Sequence, residues 1–203
     1  MRFDESYICI MADDFAQFKT FIESQGKFAD STWRLLETVL EKHEIQKGEQ
    51  ILSEGQVCRH IDYVNEGSFR VYYNRDGDEI TTSLYCESVC VTDMKSLSQQ
   101  VPSNVNIIAN ENSVVIRLYK DKLIGLYNQS SALQSVGRAI LESMIVNESA
   151  WKEIYTLYDP SERYEFLVRK APLFILRFPM QHIASFLGIR RETLSRIRGK
   201  HGK

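Results

Sequence analysis

The sequence has few cysteines and no long apolar run. Four cysteines in 203 residues are too few for the disulfide framework of a small secreted protein, so we expect reduced thiols. No apolar run reaches the roughly 18 residues that a membrane-spanning helix needs. The N-terminal MRFDESYICIMADDF has acids within its short apolar stretch and no small-residue cleavage site, unlike a signal peptide. The sequence therefore predicts a cytoplasmic protein that does not bind a membrane.

Signatures of common enzymes and metal sites are also missing. The sequence has no P-loop, no GxSxG and no Rossmann fingerprint, and its histidines form neither HxH nor HExxH. Cys9 stands alone, and Cys58, Cys86 and Cys90 form no CxxC pair. Cys86 and Cys90 are expected on one face of a strand, as half-buried small hydrophobic residues. We therefore expect no enzymatic activity, no cofactor and no metal.

Charge is distributed unevenly along the chain. Residues 161–203 contain 10 Lys and Arg against 3 Asp and Glu, whereas residues 1–160 contain 15 against 24. An acidic body with a basic end favours a polyanionic partner for that end. A solvated basic tail is the alternative, but apolar residues are interleaved in this segment at regular spacing.

The basic end contains the stretch MQHIASFLGIRRETLSRIRGK, which has the pattern of a helix-turn-helix. Gly188 stands where a tight turn needs a residue that tolerates positive φ, and Ile189 follows as an apolar plug. A second helix from about Arg190 would bury Leu194 and Ile197 on one face. A helical hairpin that merely packs is the alternative interpretation.

The other face of the second helix is polar and can enter the DNA major groove. Arg pairs bidentately with guanine, and Glu accepts a hydrogen bond from the cytosine amine. Other side chains are better placed to contact phosphates, which position a protein without specifying sequence. The candidate contacts to the DNA backbone are Arg190, Ser195, Arg198, Lys200 and, on the first helix, His182.

The rest of the chain predicts helices followed by strands. Apolar residues in residues 13–43 have helical spacing, whereas residues 44–118 contain short alternating runs punctuated by glycine. Asp76-Gly77 between FRVYY and EITTSLY is a strong hairpin signal, and Asn110-Glu111-Asn112 is expected to turn another hairpin. The middle of the chain is therefore predicted to be an antiparallel β-roll or barrel.

A short helix over residues 120–127 and a long helix from Ser130 or Ser131 to about Tyr158 are predicted next. We interpret the long helix as a dimer helix, and a helix packed entirely within its own chain is the alternative. Its apolar residues follow a three-and-four spacing: Leu133, Val136, Ile140, Met144, Trp151, Ile154 and Leu157.

A new helix is predicted to begin after the long one. Asp159 is its expected cap, with Pro160 in the first turn and Glu162 at the third position. The segment APLFILRFP is expected to be a connector. The predicted units are residues 1–130, a β-roll effector domain; residues 131–158, a dimerisation helix; and residues 159–203, a helix-turn-helix domain.

In this order of elements the chain resembles the Crp/Fnr family of bacterial transcription regulators over essentially its full length. The most specific match is IASFLGIRRETLSRI, because the family has Leu-Gly before the turn and then R-E-T-hydrophobic-x-R. The resemblance implies an α+β fold: an antiparallel β-roll, a long dimerisation helix, and an all-α winged-helix-like helix-turn-helix domain. The chain stops just after the second helix, so the wing is expected to be truncated.

The resemblance also implies function and partners. Arg191, Glu192 and Arg196 would read DNA bases. The expected partners are double-stranded DNA, a second copy of the chain, a small-molecule effector and, for an activator, RNA polymerase.

The expected effector site departs from the cyclic-nucleotide binders of the family. Those proteins carry a Gly-Glu pair for the ribose hydroxyl and an Arg-Ser/Thr pair for the cyclic phosphate. Thr92-Asp93 and Ser103-Asn104 stand at about these positions, and no Lys or Arg lies between Lys95 and Arg117. A buried phosphate without a cationic partner is costly, so we do not expect tight cAMP binding. Thr92, Asp93, Ser103 and Asn104 are the candidate effector pocket.

Two other classes of function stay open. The chain can be a β-roll ligand-binding or protein-interaction module whose helix-turn-helix binds protein, in which case steep salt dependence of DNA binding is not expected. An enzyme on a cupin-like roll is the third possibility, but the sequence offers it almost no support.

Overall fold

The computed structural model describes residues 14–26, 29–157 and 159–201. They form N-terminal helices, two four-stranded antiparallel sheets, a long helix and a C-terminal group of short helices, which confirms the predicted α+β fold. Within these ranges no helix is both long and apolar enough to cross a membrane. The prediction for Cys9 lies outside the described residues.

Two helices precede the strands, one short helix interrupts them, and the remaining helices follow them. The helices are α1 (Ala16–Gln25), α2 (Asp30–Glu37), α3 (Met94–Gln99), α4 (Lys120–Tyr127), α5 (Ser131–Leu157), α6 (Pro160–Lys170), α7 (Pro172–Arg177), α8 (Met180–Phe186) and α9 (Arg191–His201). The strands are β1 (Leu40–Ile45), β2 (Gln50–Leu52), β3 (His60–Glu66), β4 (Phe69–Arg75), β5 (Asp78–Tyr85), β6 (Cys90–Val91), β7 (Asn106–Ala109) and β8 (Ser113–Tyr119).

The two sheets have the orders β1-β8-β3-β6 and β2-β7-β4-β5. Alternate side chains of each strand point to opposite faces, so one sheet can serve two cores. Val64 and Val115 belong to the core shared by the sheets, whereas Tyr63 and Ile116 pack beneath α1 and α2. The β-roll is therefore packed on both faces of its first sheet.

The hairpin prediction at Asp76-Gly77 is confirmed. Arg75 pairs with Asp78, which leaves a two-residue loop. Asp76 has φ of 53° and Gly77 has φ of 91°. Positive φ at both central residues is the requirement of a type I′ turn, which matches the twist of the flanking strands.

The hairpin prediction at Asn110-Glu111-Asn112 is wrong. This turn joins β7 to β8, but β7 pairs with β2 and β4, whereas β8 pairs with β1 and β3. The turn therefore carries the chain from one sheet to the other. Alternation of apolar residues identifies a strand but does not identify its pairing partner.

Two other boundaries differ from the predictions. The helical segment was expected to continue to residue 43, but Leu40–Ile45 forms β1 and pairs along its whole length with β8. The six-residue ladder with a distant strand outweighs the local helical spacing. Residues 172–177, expected to be a connector, form α7, with Pro172 in its first turn where a missing N–H costs nothing.

Helix α5 packs against its own chain along the predicted apolar stripe. Leu133, Val136 and Ile154 are buried, and α5 contacts α1, α2 and α4. These residues therefore pack within the chain, and the interpretation of α5 as a dimer helix stays a prediction. The apolar side chains that stay exposed lie on a different face of α5: Leu141 (38% exposed), Ile145 (63%) and Val146 (68%).

Cys86 and Cys90 do not share a strand face, because Cys86 follows β5 and Cys90 begins β6. Both are buried, in two different cores. Burial raises the pKa of Cys86 to about 11 and that of Cys90 to about 12. Both thiols are therefore protonated at neutral pH, as expected of small core residues.

Candidate nucleic-acid interface

The turn between α8 and α9 is a Schellman motif. The amide of Ile189 donates to the carbonyl of Ala184 (3.0 Å), and the amide of Gly188 donates to that of Ser185 (3.0 Å). Gly188 has φ of 67°, the left-handed conformation that glycine adopts without strain. Leu194 and Ile197 are buried in the core that α8 and α9 share. The sequence therefore fixes the angle at which α9 leaves the turn.

This geometry leaves the polar face of α9 exposed. Arg191, Glu192 and Arg196 are exposed, and among the described residues only Arg196 of these three has a side-chain hydrogen bond, to Thr193 (3.5 Å). No arginine on α9 forms an ion pair with a described residue. These guanidinium groups are therefore available for phosphates or bases.

The candidate backbone contacts divide into two groups. Arg190, Ser195 and Arg198 are exposed beside the polar face, and the side chain of Lys200 lies outside the described part of the structure. His182 is half-buried on α8, and its Nδ1 has no hydrogen-bond partner among the described residues. Burial, together with the nearby charge of Arg70, lowers the pKa of His182. His182 therefore faces the β-roll side of α8, where DNA contact requires α8 to move.

Helix α8 lies against β5, the edge strand of the second sheet. The amide of Thr81 donates to Oγ of Ser185 (2.9 Å), and this hydroxyl donates to the carbonyl of Glu79 (3.4 Å). Leu84 and Cys86 join the core of α6 to α9. The side chain of Ser185 on α8 thus forms hydrogen bonds with two backbone groups at the edge of the sheet.

Arg177, at the end of α7, connects the same helices to two loops of the β-roll. Its guanidinium donates to both carboxylate oxygens of Glu87 (2.7 and 2.6 Å) and to Oε1 of Glu111 (2.9 and 2.6 Å). Asn110 donates to the carbonyl of Arg177 (3.1 Å). The hydrogen bonds that Arg177 donates to these two carboxylates raise its pKa, and the guanidinium stays charged. We call Arg177, Glu87 and Glu111 the Arg177 clamp.

The end of α5 is held by the helix-turn-helix on its other side. Trp151 stacks on Phe174 (5.7 Å between ring centroids) and meets Phe186 edge-on (5.5 Å). The hydroxyl of Tyr155 donates to the carbonyl of Phe186, and Arg163 donates to the carbonyl of Leu187 (3.1 Å). The position of α9 is therefore tied to both α5 and the β-roll.

The four candidate effector residues are engaged mainly in local hydrogen bonds. Thr92 donates to the carbonyl of His60 (2.9 Å), and Oδ1 of Asp93 caps α3. Oγ of Ser103 is used within its own turn, by the amide and carbonyl of Val105, and Asn104 is exposed. Local backbone groups therefore satisfy most of these side chains. Oδ2 of Asp93 is buried and has no partner among the described residues.

An apolar cavity of about 240 Å³ lies elsewhere, on the helix-covered face of the first sheet. It is bounded by α1, α4 and α5 and by residues of β3 and β8. Its lining is almost entirely aliphatic or aromatic, with Lys120 and Tyr127 at the two ends of α4.

Sequence reasoning missed the contacts that join the parts of the chain. Arg177 pairs with residues 90 and 66 positions away, and Ser185 with a residue 104 positions away. The carboxylates of Glu87 and Glu111 lie in ordinary polar loops, so no local pattern marks them. A buried pair, Asp62 with Arg117 (2.8 and 2.7 Å), was missed for the same reason.

Comparison with known proteins identifies the fold. Residues 42–130 match the cyclic nucleotide-binding domain family, and no curated protein matches the chain. The structure of FixK2 from Bradyrhizobium japonicum is similar, with 16% identity, a TM-score of 0.68, and coverage of 80% of this chain and 84% of that one. The c-di-GMP responsive global regulator CLP of Xanthomonas campestris has 17% identity, a TM-score of 0.64, and coverage of 86% and 92%. A transcriptional regulator assigned to the Crp/Fnr family in Eubacterium rectale has 18% identity, a TM-score of 0.62, and coverage of 84% and 82%.

Proposed function

Because residues 42–130 belong to the cyclic nucleotide-binding domain family and the chain has the Crp/Fnr fold, we propose that this protein is a sequence-specific DNA-binding transcription regulator. The observation that carries the proposal is the exposed polar face of α9. Arg191, Glu192 and Arg196 read bases in the major groove, and Arg190, Ser195, Arg198 and Lys200 contact the backbone. The chain divides into residues 1–130 as effector domain, 131–158 as dimerisation helix and 159–203 as DNA-binding unit. An activator of this type also contacts RNA polymerase.

The regulator acts as a homodimer through α5. The support is the exposed apolar side chains of Ile145 and Val146 on α5. Apolar side chains at this exposure on a long helix favour pairing with a second copy. Two recognition helices about 34 Å apart then read a two-fold symmetric site.

The effector is not cAMP. The segment from Thr92 to Asn104, which contains α3, holds one cation, Lys95, which is exposed, and Ser103 is engaged within its own turn. A cyclic phosphate there would be buried without a charged partner. Asp93, through its unpaired Oδ2, is left as the one candidate contact for a hydroxyl group.

Selection of genomic DNA fragments with purified protein, with and without cAMP, tests the function. We expect a two-fold symmetric motif enriched in both conditions. Enrichment only with cAMP would overturn the effector assignment. If no motif emerges and residual binding does not depend on salt, the protein is an interaction module and not a DNA-binding regulator.

Substitution of Arg191 tests the base-reading role. Arg191→Ala should weaken binding to the selected site by about 1–3 kcal/mol and relax specificity at one base pair. Arg198→Ala is the matched control, because it should weaken all sequences uniformly and reduce the salt slope by about one. If Arg191→Ala weakens binding to every DNA sequence equally, Arg191 contacts the DNA backbone and not a base.

A further inference from the structure

The cavity of about 240 Å³ has the volume and lining of a small-molecule site. An engineered apolar cavity of about 150 Å³ holds benzene, so this volume accommodates about ten non-hydrogen atoms. Its walls include Phe18, Leu118, Leu133 and Val136, which offer only carbon atoms. The body of a ligand must therefore be aliphatic or aromatic.

The cavity opens to solvent through an apolar rim. Met94, Ile124 and Leu141 line it, and all three are among the exposed large hydrophobic residues. An apolar molecule can therefore enter the cavity without passing over a polar surface. The rim and lining come from α3, α4 and α5, so a bound molecule would touch the long helix directly.

Two polar residues of the cavity lining, Lys120 and Tyr127, are at opposite ends of α4. The ammonium of Lys120 donates to the carbonyls of Leu97 (2.7 Å) and Ser98 (3.2 Å), and no carboxylate of a described residue pairs with it. An ammonium has three donors, so one is left for a ligand. The hydroxyl of Tyr127 has no hydrogen-bond partner among the described residues and lies against Gly137, where any side chain would collide with it.

Lys120 and Tyr127 are the first and last residues of α4, so their Cα atoms are about 10 Å apart along the helix axis. A cation at one end of an apolar cavity is complementary to a molecule with one anionic end and an apolar body. We propose that this cavity binds a medium-chain aliphatic carboxylic acid, with its carboxylate on Lys120 and its chain among the side chains of α1, α4 and α5.

The proposed site adds an effector to the proposed function. Only the effect of the ligand on DNA binding depends on that function, whereas ligand binding itself does not. A ligand that contacts α5 acts as an effector if it binds the DNA-competent arrangement with a different affinity. Ligand binding itself is measured on the full-length protein without DNA. A failure of ligand binding and a failure of DNA binding are thus separate results.

The test is titration calorimetry with octanoate and 1-octanol, both below the concentrations at which they aggregate. We expect octanoate to bind with a Kd below 1 mM, the affinity that about ten well-buried atoms can supply. Lys120→Met should weaken octanoate at least about tenfold and leave 1-octanol within about twofold, because only the carboxylate needs the ammonium. Lys122→Met is the matched control: Lys122 lies on the same helix but outside the cavity, so it should change neither ligand.

A cavity-filling substitution gives the second arm. Ile140→Phe should weaken both octanoate and 1-octanol, and because Ile140 is only partly buried, the larger ring is tolerated in the fold. Absence of binding by both molecules to the unaltered protein would overturn the proposal. Octanoate binding that survives both Lys120→Met and Ile140→Phe would overturn it as well, because the ligand would then be bound elsewhere.

Discussion

Loss of the Arg177 clamp should loosen the C-terminal helices α6 to α9 from the β-roll. Arg177→Met keeps most of the apolar stem but removes every hydrogen bond that residue 177 donates to Glu87 and Glu111. The side chains are 22%, 33% and 38% exposed, so solvent screens the pairs in part. A fully exposed ion pair contributes about 0.2–1 kcal/mol, and a hydrogen bond to a charged group about 1.5–3 kcal/mol. Two such pairs with this exposure place the loss of docking free energy at about 1–3 kcal/mol, or roughly 5–150-fold.

The amide of Thr81 is a direct reporter of docking. It donates to Oγ of Ser185 across the interface, at the edge of the sheet. Its hydrogen exchange should therefore accelerate roughly 5–150-fold in Arg177→Met, since exchange follows the free energy of local opening. The amide of Val64, which donates to the carbonyl of Val89 inside the roll, should keep its rate.

Two variants sharpen the measurement. Arg177→Lys keeps the charge but lacks the planar fork that spans two carboxylates, so it should lie between the original protein and Arg177→Met. Arg169→Met removes an exposed arginine at the end of α6 and serves as control. If the Thr81 amide exchanges at the same rate in Arg177→Met and Arg169→Met, the clamp does not hold the interface.

Three further outcomes are expected, two for the pair of Asp62 and Arg117 and one for the half-buried His182. Arg117→Met removes the guanidinium from the buried carboxylate of Asp62 and leaves it with the ring of His60 (3.4 Å). The free energy of unfolding should fall by about 3–5 kcal/mol in urea titrations, with partial recovery on adding Asp62→Asn. Burial alone would raise the pKa of Asp62, but hydrogen bonds from Arg117 and His60 lower it below the ordinary value of 3.8. The stability that Asp62 contributes is therefore present above pH 3.8 and is lost as the pH falls through the lowered pKa. Burial and the charge of Arg70 lower the pKa of His182, so docking favours the neutral ring and should weaken as pH falls below the ordinary value of 6.5. Exchange of the Thr81 amide, corrected for its intrinsic pH dependence, should accelerate in this range, and His182→Gln should abolish the acceleration.

The helix-turn-helix could be predicted in detail because its determinants are local. Gly188, Leu194 and Ile197 lie within ten residues of one another, and turn chemistry with helical spacing specifies both helices. The hairpin at Asp76-Gly77 was predictable for the same reason. In both cases the residues that define the geometry are neighbours in sequence.

The contacts between parts of the chain could not be predicted because their partners are remote. The dimer interpretation of α5 shows the difficulty: the residues with the clearest spacing, such as Leu133 and Val136, are buried against α1 and α4. The exposed face with Ile145 and Val146 lies beside them on the same helix. Spacing identifies apolar faces but not which neighbour covers each one.

The docked arrangement joins the edge strand β5 to helix α8 partly through polar contacts. Strand β5 has a free edge, and Ser185 on α8 satisfies the amide of Thr81 there. On undocking, water replaces that hydroxyl, so the hydrogen bond itself contributes only about 0.5–1.5 kcal/mol. Together with the Arg177 clamp this gives an interface whose polar contacts add up to a few kcal/mol. A ligand or a DNA site shifts a two-state balance only by its differential affinity for the states, and a difference of that size is within reach of one bound carboxylate or a few phosphate contacts. These polar contacts add to the apolar contacts of Leu84 and Cys86 with the C-terminal helices, and the proposed regulation requires the ligand or DNA to offset both.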